Sequence, residues 1–143
     1  MTTIICDGKT IFADSRGYTG DKTPIGTKRK VHRFEYGIFG CSSVHPGVPE
    51  QLFALLKAQG PYARVDPPFD GEALFLQNDG QVFFYSNGPG WVSLEPGQIH
   101  CIGSGAQYAY GALKAGASPQ DAIAIAIGLD VWSGMPIYAE SIA

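Results

Sequence analysis

The sequence is poor in charge and in paired cysteines, and it has no long apolar run. Charged residues make up 16% of its 143 residues and the net charge is −3, so no general basic surface exists to hold nucleic acid or anionic lipid. Three cysteines, Cys6, Cys41 and Cys101, are odd in number and widely spaced, which argues against a disulfide framework and for a reducing cytoplasm. With His32, His45 and His100 they lack a paired zinc-ligand spacing, so neither a metal nor another cofactor is expected. The most apolar segment, Ala122 to Ile127, is far too short to span a bilayer. The N-terminus, Met-Thr-Thr-Ile-Ile-Cys-Asp, lacks the basic start and apolar stretch of a secretory signal.

What is present is a globular composition, with 45% hydrophobic residues, 19 Gly and 10 Pro. The length fits one domain, residues 1–143, with a substantial core. Thr3 to Cys6 and Thr10 to Ala13 are β-branched and apolar around Asp7-Gly8, which predicts a hairpin. Arg16 to Thr27 reads as a loop, and Lys30 to Phe34 with Tyr36 to Phe39 as a second strand pair. Leu52, Leu55 and Leu56 share one face of a helix over Glu50 to Gln59, opened by Pro49 and closed by Gly60. Ala73 to Leu76 and Val82 to Tyr85 flank the turn Asn78-Asp79-Gly80, and Trp91 to Leu94 and Ile99 to Ile102 read as short strands. Helices follow over Ala106 to Ala115 and from Ser118-Pro119 to about Trp132, then a last strand over Ile137 to Ile142. Strands, helix, strands, two helices and a strand make an α+β protein with layered sheets.

Candidate chemistry begins at Thr2. Initiator methionine is removed before small residues, and the product then carries a hydroxyl and a free α-amine on one residue. That amine has a pKa of roughly 7.7–8.0, within reach of general-base duty near neutrality. Nucleophile and base thus share a residue. In the basic run Thr27-Lys28-Arg29-Lys30-Val31-His32-Arg33, one cation turned inward would favour ionisation of that hydroxyl, and Asp14 is a candidate partner to keep it charged. Gly103-Ser104-Gly105 before a helix is a strand-to-helix turn or an anion cradle. Asp130 and Ser133 stand one turn apart at a helix C-terminus, where the dipole disfavours a carboxylate. Nothing in the sequence marks a cysteine as activated for a Cys-His nucleophile.

In order along the chain, these fragments resemble the proteasome β-subunit and HslV-type N-terminal-nucleophile threonine hydrolases. Thr2-Thr3-Ile4 with Phe12 to Gly20 is similar to their opening, Lys28-Arg29-Lys30-Val31 to their lysine block, and Ile38-Phe39-Gly40 to a strand end. Ile102 to Leu113 and Leu129 to Gly134 are similar to their later segments. About two-thirds of the chain carries the likeness, and residues 44–97 match loosely. The short N-terminus is more like the HslV type, and Asp130 to Gly134 more like proteasome β subunits.

The resemblance implies a four-layer αββα sandwich. One helical layer is expected to be shortened, since the stretch from Gly40 to Glu72 holds one helix where two long ones are usual. It implies a threonine endopeptidase subunit of a self-compartmentalising homo-oligomeric ring, acting on peptide or unfolded-protein substrates through an acyl-enzyme on Thr2, with an ATPase unfoldase ring as a partner. It casts Lys30, held by Asp14, as the electrostatic tuner, Ser104, Asp130 and Ser133 as the groups around the Thr2 amine, and the Gly40 N–H as the oxyanion donor. It places Cys41, Ser42 and Ser43 at the substrate-binding pocket. The alternatives are a non-catalytic assembly subunit and a small-molecule amidase on the same fold.

Overall fold

The computed structural model describes residues 2–18 and 23–143. Two antiparallel sheets, a short ribbon and three helices account for the regular structure among them. The first hairpin forms as its residues predict: β1 (Ile4–Cys6) and β2 (Thr10–Ala13) pair with Ile5 opposite Phe12. The Asp7 carboxylate closes the turn by accepting from the Lys9 and Thr10 amides, as short acidic turn residues do. Arg16 to Thr27, expected as a loop, instead contains β3 (Arg16–Tyr18) and β4 (Pro24–Thr27), a two-stranded ribbon with a register shift at Gly17 and Tyr18. β4 is exposed throughout and β3 fully buries only Gly17, so no apolar alternation announces them.

β5 (Val31–Phe34) and β6 (Gly37–Ser42) lead to α1 (Val48–Gln59), then β7 (Glu72–Gln77), β8 (Val82–Ser86), β9 (Val92–Leu94) and β10 (His100–Ile102). The chain closes with α2 (Ala106–Lys114), α3 (Pro119–Leu129) and β11 (Tyr138–Ser141). One sheet runs β10-β1-β2-β11 and the other β5-β6-β7-β8-β9. Ser118 caps α3 by accepting from the Asp121 amide, with Pro119 at its first turn. α3 stops at Leu129, short of the expected Trp132, because Asp130 adopts an extended backbone (φ −94°, ψ 113°).

Three apolar clusters hold these elements. Ile4, Cys6, Ile11 and Ala13 of the first sheet meet Val31, Ile38, Leu74 and Leu76 of the second. Ile5, on the opposite face of β1, packs with Ala109 of α2 and with Ala122, Ile123 and Ala126 of α3. On the far face of the second sheet, Phe39, Phe75 and Phe83 pack with Leu52 and Leu56 of α1. Period-2 alternation in the strands therefore feeds two cores from each sheet. Between β6 and β7 only α1 is helical, as expected for that stretch. Among the described residues no helix is long and apolar enough to cross a membrane.

Leu52 is fully buried and anchors α1 on the sheet. Leu52→Ala is expected to destabilise the protein by about 2–5 kcal/mol in chemical denaturation. A loss within about 0.5 kcal/mol would mean that α1 contributes little to this core.

Candidate active site

The first described residues alternate like the strand they enter. Thr2 shares the face of Ile4, toward the second sheet, and lines a cavity with Lys30, Cys41 and Ser43. Thr3 shares the face of Ile5, toward α2 and α3, and is fully buried. Two polar networks grip this dipeptide from opposite sides.

The first is built on Asp14, which follows β2 and is fully buried. Its Oδ1 accepts from the Thr3 amide at 3.0 Å, and its Oδ2 from the Gly134 amide at 3.0 Å and the Arg16 amide at 3.2 Å. Lys30 Nζ donates to both oxygens, at 3.0 and 3.1 Å. Only 8% of the Lys30 side chain is exposed, and burial pulls its pKa below the ordinary lysine value, against the opposing pull of Asp14. Of the four cations in the basic run, Lys30 is thus the one turned inward.

The second network is built on Asp130. Its Oδ2 accepts from Ser104 Oγ at 2.7 Å and Ser133 Oγ at 2.6 Å, and its Oδ1 from the Trp132 amide at 3.3 Å. Ser104 Oγ, with its proton on Asp130, accepts from Thr2 N at 3.0 Å. Ser133 Oγ, likewise committed to Asp130, accepts from Thr3 Oγ1 at 2.8 Å. The helix-terminal carboxylate that looked misplaced against the dipole has left the helix, and these three donors compensate it. Ser104, Asp130 and Ser133 therefore come together at Thr2 and Thr3.

Gly103-Ser104-Gly105 is a cradle for chain rather than for an anion. The Gly105 amide donates to the Thr2 carbonyl at 3.1 Å. A Cβ on Gly103 (φ +97°) would fall 2.1 Å from that carbonyl oxygen, and one on Gly105 would fall 1.9 Å from Thr3 Oγ1. Only glycine at both positions lets β10 and α2 close over the threonines.

The expectation for Gly40 needs correction. It is not at a strand end but inside β6, opposite Val31 on one side and Leu74 on the other, with its open face against Ile4 and Ile11. The Cys41 amide points to the Lys30 carbonyl at 3.4 Å, so the Gly40 amide points the other way, into the ladder with β7. Ser43 lies just past the end of β6, and among the described residues its amide pairs with no acceptor. Ser43 Oγ donates to the Asp70 carbonyl at 2.8 Å and accepts from the His45 amide at 3.1 Å, which fixes the residue at the cavity wall. Of the three expected pocket residues, Cys41 and Ser43 line the cavity, whereas Ser42 is buried opposite Glu72. The sequence reading placed Ser43 at the pocket, but it missed Thr3 and Gly134. Thr3 looked like a strand residue, and Gly134 acts only through its amide.

Burial pushes the Cys41 thiol up to about 12 and the Cys6 and Cys101 thiols to about 11, which disfavours a thiolate nucleophile at neutral pH. Among the described residues no group of three or more His, Cys, Asp or Glu side chains is placed to hold a metal. Met1 lies outside the described residues. Asp14→Asn leaves the buried Lys30 ammonium without its charge partner, and a loss of about 3–5 kcal/mol of folding stability is expected in urea denaturation. An unchanged midpoint would show that the pair is not holding this corner together.

No protein-family model matches the sequence, and no curated protein matches it significantly. Solved structures do match the backbone. Eukaryotic HslV from Trypanosoma brucei superposes with a TM-score of 0.75 at 17% identity, over 97% of each chain. BPH of Thiobacillus denitrificans superposes with a TM-score of 0.62 at 18% identity, over 99% of this chain and 98% of BPH. The same protein in complex with epoxomicin gives 0.62 at 14% identity over the same shares. The chain has the proteasome/HslV-type fold.

Proposed function

We propose that the protein is a threonine amide-bond hydrolase, a proteasome-like peptidase subunit whose nucleophile is Thr2 once Met1 is removed. The observation that supports this most is the convergence of the Asp14–Lys30 pair and the Ser104–Asp130–Ser133 network on Thr2 and Thr3 at the wall of a cavity. In this reading the free Thr2 amine, held by Ser104, takes the proton from Thr2 Oγ directly or through a water. Thr2 Oγ attacks the amide carbonyl, and the amine returns the proton to the leaving nitrogen. The Lys30 ammonium stabilises the developing alkoxide, and its charge is kept by Asp14. The oxyanion is received by the Ser43 amide, taking the role first expected of Gly40. Water then hydrolyses the acyl-enzyme and restores Thr2.

The four-layer αββα sandwich is part of the same reading. It is supported by the three apolar clusters, with α2 and α3 on one outer face and α1 alone on the other. A homo-oligomeric ring in the cytoplasm, with an ATPase unfoldase ring, belongs to the proposal through the resemblance. The single helix α1 favours one second reading, a subunit kept for assembly alone, and a substrate panel of peptides and simple amides separates both readings from a small-molecule amidase.

Intact mass of the purified protein is expected to lack one methionine, and Thr2→Ala is expected to lower peptide turnover by about 10⁴-fold or more. Turnover unchanged in that variant would sink the assignment, and a retained Met1 with no activity would favour the assembly subunit. Ser43→Pro removes the proposed oxyanion donor and should lower kcat by about 10²–10³-fold, whereas Ser43→Ala, which keeps the amide, should lose far less. Equal losses in the two variants would remove the amide from the mechanism.

A further inference from the structure

Charge is distributed unevenly around the site. The sequence has 10 Lys and Arg against 13 Asp and Glu. The cavity beside Thr2, about 380 Å³, adjoins a second of about 430 Å³, and the two share Lys28, Lys30, Cys41 and Pro49 as walls. Five of the ten basic residues line this pair of cavities: Arg16, Lys28, Arg29, Lys30 and Lys57. Among the described residues, the only acidic side chain lining them is Glu50. Asp14 stands behind Lys30, Glu140 pairs with Arg29, and Asp70 meets the His45 ring at 2.9 Å.

The cations differ in how firmly they are held. Lys30 is fixed by Asp14, and Arg29 is turned toward Glu140 and the Tyr138 ring. Arg16 donates to the Val131 carbonyl. Lys57 lies over the Phe53 ring, 4.3 Å from its centre. Lys28 pairs with Glu50 at 2.5 Å, but the two side chains are 43% and 57% exposed. An ion pair that open to water is weak and exchanges readily for another partner. His32, on the wall of the second cavity, has its pKa lowered first by burial and then by Arg29 and Lys28, consistent with a positive local field.

The two directions of exchange at Lys28–Glu50 are not equivalent. A substrate carboxylate that replaces Glu50 on Lys28 enters a cavity whose remaining charged walls, among the described residues, are cationic. A substrate ammonium that replaces Lys28 on Glu50 meets Lys28 and Lys57, which share that cavity's wall, as neighbours of its own sign. We propose that the cavity selects substrates with an acidic side chain, Glu or Asp, on the residue that supplies the scissile carbonyl, with Lys28 as the residue that recognises it. The proposal rests on the reading of Thr2 as nucleophile and names the substrate class of that site.

The test uses N-acetyl peptide amides that differ only at that residue, with Glu, Gln, Leu or Lys. Glutamyl peptide is expected to be cleaved with kcat/KM about five- to tenfold above its neutral isostere Gln, and the ratio should shrink as salt is raised. Lys28→Met should bring the ratio to about one, and Lys28→Glu should turn the preference toward Lys. Lys28 is half-exposed, and circular dichroism checks that both variants fold. Equal cleavage of Glu and Gln peptides, or a preference for Leu or Lys, overturns the proposal. If no peptide is cleaved, the Thr2 reading fails by itself, and the pocket is then tested by calorimetry on Thr2→Ala protein. Tighter binding of the Glu peptide than of Gln and Lys supports acidic recognition without catalysis, and equal binding overturns it.

Discussion

A lysine ammonium and a carboxylate share the corner where β2, β5 and the 133–134 turn meet, and the geometry of the site follows from keeping them charged there. Removing Asp14 and Lys30 from water is costly, and their mutual attraction offsets that only if the remaining lone pairs are also satisfied. Asp14 meets the condition with three backbone amides besides Lys30: those of Thr3, Arg16 and Gly134. These come from distant parts of the chain. The pair therefore fixes where β1 enters its sheet, how the ribbon leaves β2, and how the turn after Asp130 folds back. A corner specified by five polar groups has few alternative packings, which suits a site that must hold a reacting group in place.

The second network works by proton commitment. Asp130 can only accept, so Ser104 and Ser133 must donate to it, and each is left as an acceptor toward the N-terminal residues. That orients Thr2 N and the Thr3 hydroxyl without further charged groups. The glycines on either side of Ser104 contribute through what they lack. Any side chain there would occupy the space of the Thr2 carbonyl or the Thr3 hydroxyl. The same Gly-Ser-Gly string that resembles an anion cradle is thus a docking seat for the protein's own backbone.

Much of this was legible before the structure, and the failures have physical causes. The first hairpin, α1 and the β7–β8 hairpin carry strong periodicity and turn chemistry, so their residues suffice to place them. Asp14, the basic run with Lys30, Ser104, Asp130 and Ser133 each drew notice from local context, but only the ordered resemblance to a family joined them into one site, since they are scattered over about 120 residues. The ribbon of β3 and β4 escaped because short strands without apolar alternation look like loop. Gly40 misled because the resemblance carried over a role for its amide. Here it is needed instead for close packing between the sheets, against Ile4 and Ile11. Which amides of β6 point toward β5 and which toward β7 depends on ladder parity, and parity is known only once the Cys41–Lys30 bond is seen.

The paired threonines show why parity matters for chemistry as well. Thr2 and Thr3 are the same side chain one position apart, yet strand alternation sends them to opposite faces. Thr3 is sealed against Gly105 and Ser133, with its amide on Asp14, and nothing can approach its hydroxyl. Thr2 faces the cavity, with its nitrogen on Ser104 and its carbonyl on the Gly105 amide. The buried threonine positions and the cavity-facing one is positioned. A one-residue slip of β1 would exchange these roles, carrying Ile4 and Ile5 to the wrong cores at the same time. The apolar cores that hold β1 in register are therefore also what sends Thr2 rather than Thr3 to the cavity, and in the proposed reading the packing of the first strand is inseparable from the identity of the nucleophile.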